Sequence, residues 1–303
     1  MRVLIVGCGY VGRALGVKLS AQGHQVFGMS RNATAAPGLI SDAIVPVTAD
    51  ITKPESLAGL PRDYDWVVNA VSSGKGNVAD YNSAYLEGTR NLIRSLAGSS
   101  IQKYICVSST SVYGQTDGSA VKESSPTEPG NETSQILLQN EALLLESARK
   151  KTLPAIIIRS AGIYGPERGH LFLQYLADKA RISGKGERLI NMIHRDDLVG
   201  LIIAACRDGR PGEVYNGVDD EPVAQIHFFR WLSETLGKNM PPFATEEENT
   251  QKKRGLTQKK VSNRKAKMEL GYQFIYPTFR QGYTAEIQRL DRAGLLNIEV
   301  EPR

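Results

Sequence analysis

Short, β-branched apolar runs recur along the first 160 residues, each ending in small residues and followed by helical spacing. VLIV at 3–6 is apolar at every position, the mark of a strand buried on both faces. VGRALGVKLSAQG at 11–23 follows, with Val11, Leu15 and Leu19 on one helical face and Gly23 as the stop. Further strands are expected at HQVFGMS (24–30), AIVPV (43–47), DWVVNAV (65–71), YICVSS (104–109) and PAIIIRS (154–160). Helical patterns cover about 78–97, with Tyr85, Leu92 and Leu96 among the apolar positions, and about 134–149. Doubly buried strands alternating with helices predict an α/β fold, a doubly wound parallel sheet with right-handed crossovers. After residue 165, short strands and helices mix with frequent Pro and Gly, as in RPGE at 210–213. Two parts are expected: a nucleotide-binding domain over 1–165, with 191–208 packing back onto it, and a smaller α+β lobe from 166–190 and 209–303.

The first strand runs into GCGYVG at 7–12, a G-x-G-x-x-G between strand and helix. In that context Gly7 permits the tight turn, Gly9 lets the backbone approach a diphosphate, and Gly12 lets helix and strand pack closely. The helix start at Tyr10 and Val11 offers free N–H groups and a partial positive charge. A dinucleotide cofactor is therefore expected. An acid at the end of the second strand would accept from the ribose 2′-hydroxyl of NAD(H). Here the strand ends FGMSRN, with Ser30 and Arg31 at that point and no acid. Arg31 can pair a 2′-phosphate, so NADP(H) is expected over NAD(H); the bland alternative is a solvent-facing strand end.

Composition narrows the picture. Apolar residues make up 41% of 303, enough for a full core. No apolar run nears the ~18 residues of a membrane span, and MRVLIV is too short for a signal peptide. Cys8, Cys106 and Cys206 are far apart and show neither disulfide nor metal-ligand spacing, so a cytoplasmic protein is expected. The net charge of +5 owes much to KKRGLTQKKVSNRKAK at 252–267, which carries eight Lys or Arg after the acidic EEE of 246–248. With no interleaved aromatics it reads as a solvated loop and helix, not a nucleic-acid surface. An anionic small-molecule substrate is a further use for such charge.

Several motifs, in order, resemble the short-chain dehydrogenase/reductase superfamily, in the extended and atypical branch of epimerases and dehydratases. They are GCGYVG, the pair Asp50-Ile51, NAVSS at 69–73, VSSTSVYG at 107–114, RSAGIYGP at 159–166, IHRDDLVG at 193–200 and YNGVDDEPV at 215–223. The resemblance implies a Rossmann fold with Asp50 and Ile51 at the adenine. It also implies Ala70, Val71 and Ser108 beside the cofactor, and Ile163 and Tyr164 next to the nicotinamide. It further implies a small polar or nucleotide-linked sugar substrate and a homodimer. GCGYVG also resembles nucleotide-sugar dehydrogenases with a catalytic cysteine, but those chains are longer and no cysteine here lies in such a loop.

The family places a Tyr, and a Lys four residues later, at the start of the helix after the fifth strand. The lysine lowers the tyrosine pKa for proton transfer. Thr133 or Ser134 stands at the first position here and Leu137 or Leu138 at the second. The sequence has one Y-x-x-x-K, at Tyr175–Lys179, on an expected helix 168–181 that reads as packing. Ser109 keeps the family's serine position and is the candidate hydrogen-bond donor to substrate, with a strand-end backbone contact as the alternative. Tyr113 is the candidate substitute proton donor, and Arg168 and His170 are candidate substrate contacts. His194, Asp196 and Asp197 read as a helix start, and no metal site is expected. Two functions follow: an NADP(H)-dependent oxidoreductase or epimerase/dehydratase, or a non-catalytic NADP(H)-binding sensor or scaffold.

Overall fold

The computed structural model describes residues 1–250 and 257–296. Seven strands form one sheet: β1 (Arg2–Val6), β2 (Gln25–Ser30), β3 (Val45–Thr48), β4 (Trp66–Asn69), β5 (Lys103–Ser109), β6 (Ala155–Ser160) and β7 (Val214–Gly217). The order is β7-β6-β5-β4-β1-β2-β3 and every pairing is parallel. The chain runs outward from β1 to β3, then crosses back to β4, so the strand order switches direction between β1 and β4. A crevice opens at the carboxyl ends of the strands at such a point.

Side chains of β1 alternate between two cores, as the pleat requires. Val3 and Ile5 pack with Leu15 and Leu19 of helix α1 (Tyr10–Ala21). The same cluster holds Leu198, Leu201 and Ile202 of helix α4 (Arg195–Asp208). Leu4 and Val6 face Leu92 in the helical run α2 (78–95) and Leu144 of helix α3 (Glu132–Arg149). Each fully buried aliphatic side chain of this kind is worth about 1.5–3 kcal/mol. The run α2 is not uniform: Val78–Tyr81 and Gly88–Ser95 are α-helical, and Asn82–Glu87 between them is π-helical.

A separate aromatic core joins the helix His170–Leu176, helix α5 (Gln225–Leu236) and helix α6 (Phe279–Arg292) through Phe172, Phe228, Phe229, Phe279 and Tyr283. Helix α4 packs on the sheet, in the same cluster as β1. The chain after 209 divides between the two cores. VYNG at 214–217 is the edge strand of the main sheet, and Ala266 and Leu270 of the helix Arg264–Leu270 pack into the sheet's core. The lobe expected over 209–303 is therefore smaller than the sequence pattern drew it. A four-residue strand preceded by RPGE carries too little periodicity to reveal itself.

Within the basic stretch, residues 252–256 lie outside the described residues. Farther on, Lys265 pairs with Glu213 at 2.6 Å and Lys267 with Asp220 at 2.6 Å.

Candidate functional site

A cavity of about 560 Å³ opens at the switch point, within the range of small-molecule sites. Its floor is the glycine loop. Gly7 has φ +84°, and a Cβ there would meet the Val71 backbone at 2.8 Å, so β1 and β4 close together only around glycine. A Cβ on Gly12 would overlap the Gly7 carbonyl oxygen. On Gly9 a Cβ would meet nothing within 4 Å, which leaves an open backbone cradle. The first turn of α1 holds no acid, and its leading N–H groups have no intrahelical acceptors. This cradle fits a diphosphate.

One end of the cavity is lined by Ser30, Arg31, Asp50 and Ile51. Asp50 accepts from the Thr52 N–H at 3.0 Å and the Thr52 hydroxyl at 2.8 Å, which fixes its carboxylate at the wall. Arg31 is exposed at the rim. The other end is lined by Ser108, Ser109, Leu137, Gly162 and Ile163, with Tyr81 and Tyr85 from α2. The Ser109 hydroxyl oxygen accepts from the Ser111 N–H at 3.1 Å. Ser108 is buried and donates to Glu141 at 2.6 Å. Glu141 in turn makes a buried pair with Arg159 at 2.7 Å, a strut between α3 and β6 that the sequence did not reveal. An Arg in strand six and a Glu in a helix gave the only signal for it.

The cavity also gathers Gly7, Gly9, Tyr10, Val11, Ala70, Val71 and Arg168. Arg168 stands over the Tyr10 ring at 4.9 Å, and the Tyr10 hydroxyl donates to the Pro166 carbonyl at 3.0 Å. Gly12 lies behind the floor in close helix–strand packing.

Three candidates fall elsewhere. Tyr113 is wholly buried; its hydroxyl donates to Asn216 at 2.8 Å and accepts from Arg159 at 2.9 Å. Burial holds its pKa above the ordinary value, and it does not line the cavity. The phenol is committed to the Arg159 strut, so it does not stand as the substitute proton donor. Tyr164 turns away from the cavity into the aromatic core, stacking on Tyr283 at 4.3 Å; Ile163, one residue earlier and on the opposite face, lines the cavity instead. His170 begins the helix His170–Leu176 as an exposed residue away from the cavity.

The remaining motifs have structural roles. The helix over the expected 168–181 spans only His170–Leu176, and the Tyr175 hydroxyl donates to the carbonyls of Lys238 and Asn239. His194 caps α4, accepting from the Asp196 N–H at 3.2 Å. Asp197 accepts from the Tyr272 hydroxyl and from the N–H groups of Ile275 and Tyr276. Thr133 and Ser134 hydrogen-bond to Asn131 and Ser111, and Leu137 occupies the cavity wall.

A parallel sheet with a glycine loop and cavity at its switch point defines a Rossmann-type dinucleotide-binding protein. The model of the NAD dependent epimerase/dehydratase family matches residues 3–216, and the chain belongs to that family, within the short-chain dehydrogenase/reductase superfamily. It is 28% identical over 286 residues to Protein YeeZ of Escherichia coli (strain K12), covering 91% of this chain and 96% of that one. It is 24% identical over 324 residues to a 3-diazoavenalumate denitrifying reductase of Streptomyces sp, covering 94% and 100%. The crystal structure of DesIV, a dTDP-glucose 4,6-dehydratase from Streptomyces venezuelae with NAD and TYD bound, superposes with a TM-score of 0.82. It covers 96% of this chain and 97% of that one at 20% identity, a likeness of fold.

Proposed function

We propose that this protein is an NADP(H)-dependent oxidoreductase of the epimerase/dehydratase type, acting on a small polar or nucleotide-linked sugar substrate in the cytoplasm. One observation carries the reading: the glycine loop, the Ser30–Arg31 strand end and Ser109 all line a single cavity. In this assignment Gly7, Gly9, Tyr10 and Val11 hold the diphosphate by backbone groups, with Gly12 fixing the loop behind them. Asp50 and Ile51 flank the adenine, and Arg31, beside the uncharged Ser30, pairs the 2′-phosphate. Ala70, Val71, Ser108 and Ile163 wall the nicotinamide half. When bound, the nicotinamide supplies a hydride donor or acceptor, which leaves the protein to bind, orient and handle protons. Ser109 donates to the substrate oxygen, and Arg168 at the rim meets an anionic group of the substrate. The reductase name of a relative matched over its full length supports redox chemistry.

Titration of the wild type and Arg31→Ala with NADPH and NADH, followed by nicotinamide fluorescence, tests this. A charge-assisted hydrogen bond is worth about 1.5–3 kcal/mol, so Arg31→Ala should weaken NADPH by about 10- to 150-fold and leave NADH unchanged. Equal binding of both cofactors, unaffected by the substitution, would overturn the NADP(H) assignment.

The second reading is a non-catalytic NADP(H)-binding sensor or scaffold. It is favoured by Leu137, an apolar side chain in the cavity wall near the position where the family keeps its lysine. A partner captured only with one cofactor redox state would support it; oxidation of NADPH by a carbonyl substrate would exclude it.

A further inference from the structure

The cavity loses the family's Tyr and Lys from α3, yet it gains a phenol from another element. Tyr85 lies in the π-helical turn Asn82–Glu87 and lines the cavity with Tyr81. π-helical turns are rare and concentrate at functional sites. The ring packs against the apolar cluster that contains Leu137 and Ala161, both of which line the end that Ser109 shares. Tyr85 thus packs on the Ser109 side, while its helical run also carries Asp80, which Arg31 faces, so the phenol stands between the two ends of the cavity. Its hydroxyl oxygen accepts from the Ser73 N–H at 3.3 Å. Its own proton has no acceptor among the described residues.

Other hydroxyls of the cavity are less suited. Tyr10 donates to Pro166, Ser108 to Glu141 and Ser160 to Ala161. Ser109 is an alcohol, far weaker as an acid than a phenol. Tyr81 lines the same wall, its ring 5.0 Å from that of Tyr85, but among the described residues no backbone N–H is donated to its oxygen.

We propose that Tyr85 is the proton donor of this site, taking the role that the family gives to the tyrosine of α3. The proposal rests on the nicotinamide reading above. As hydride from NADPH forms the new C–H bond at a substrate carbonyl carbon, the C=O π pair moves to oxygen. That oxygen takes the Tyr85 hydroxyl proton, the carbonyl is reduced to an alcohol, NADPH is oxidised to NADP⁺, and water reprotonates the phenolate. The Ser73 N–H supports the phenolate while it lasts. Burial pushes the Tyr85 pKa up to about 12, so the phenol stays protonated at neutral pH and ready to donate. A phenol remains a stronger acid than an alcohol in the same surroundings, so transfer to an alkoxide is downhill. The titratable groups that act on it are Tyr81 and Asp80 from its own helical run and Cys106 from β5, and Asp80 in turn faces the cation of Arg31.

The test needs no substrate. Protein carrying ¹³Cζ-tyrosine is titrated by NMR between about pH 9 and 12.5, with NADPH or with NADP⁺, as wild type, Tyr85→Phe and Tyr81→Phe. The resonance missing from Tyr85→Phe identifies Tyr85. A unit positive charge within roughly 10 Å, at an effective dielectric near ~20, lowers a phenol's pKa by about one unit or more. The Tyr85 resonance should therefore shift its titration downward by that amount with NADP⁺ relative to NADPH, in the wild type and in Tyr81→Phe. Tyr85→Phe should bind NADPH within about twofold of the wild type. A Tyr85 resonance that titrates identically with both cofactors, or a shift that belongs to Tyr81 instead, overturns the proposal while the nicotinamide reading stands. Failure of the wild type to bind either cofactor overturns that reading, and this proposal with it.

Discussion

The two ends of the cavity are built by different means. The end proposed for phosphate and adenosine is built by the backbone. Gly7 needs a left-handed φ, Gly12 cannot carry a Cβ, and Gly9 leaves open space. These requirements bind residue type to position, so spacing alone discloses the site. The Ser109 end is built from side chains of α2, α3, β5 and β6 that meet only after folding. The same chain therefore shows one end plainly and hides the other.

The largest effect separates the ends by stability. Arg159→Met strands Glu141 as an uncompensated buried charge behind Ser108, and should cost about 3–5 kcal/mol in urea unfolding. A change below about 1 kcal/mol would show that the strut does not organise this end.

Next is Lys259, which supports the same region by donating to the Tyr113 carbonyl at 2.7 Å. Burial lowers its pKa from 10.5 to about 8. Between those values the unfolded chain holds more protons than the folded one, so stability should rise with pH across that window, by up to ~3 kcal/mol. Lys259→Met should flatten the rise; an unchanged pH profile would refute this.

A smaller effect sharpens the phosphate end. Gly12→Ala forces the loop to move and should weaken NADPH by about 5- to 150-fold through ~1–3 kcal/mol of overpacking. The smallest effect belongs to Ser109→Ala, which should leave NADPH affinity within about threefold if the hydroxyl serves substrate alone; a large loss would make it a cofactor contact.

The sequence disclosed the first six strands and the helices α1, α2 and α3 because their patterns repeat over several residues. It missed β7, whose four residues VYNG carry no pattern. It also missed how the tyrosines turn. Tyr113 lies four residues from Ser109, yet the 3₁₀ turn Thr110–Val112 between them sends it to Arg159 and Asn216. In the sequence Tyr85 is one more apolar position of a helix, because a regular 3.6-residue period cannot announce a π-helical turn. The Glu141–Arg159 pair joins residues 18 apart in two different elements, a distance at which charge pairing leaves no trace in spacing.

The most direct test of the account is the crystal structure of this protein with NADPH. The adenosine should lie against Asp50 and Ile51 with its 2′-phosphate at Arg31, the diphosphate over Gly9, and the nicotinamide between Ser109, Ile163 and Tyr85. A dinucleotide bound with its nicotinamide outside that end, or bound away from the glycine loop, would contradict the division of labour between the two halves of the cavity.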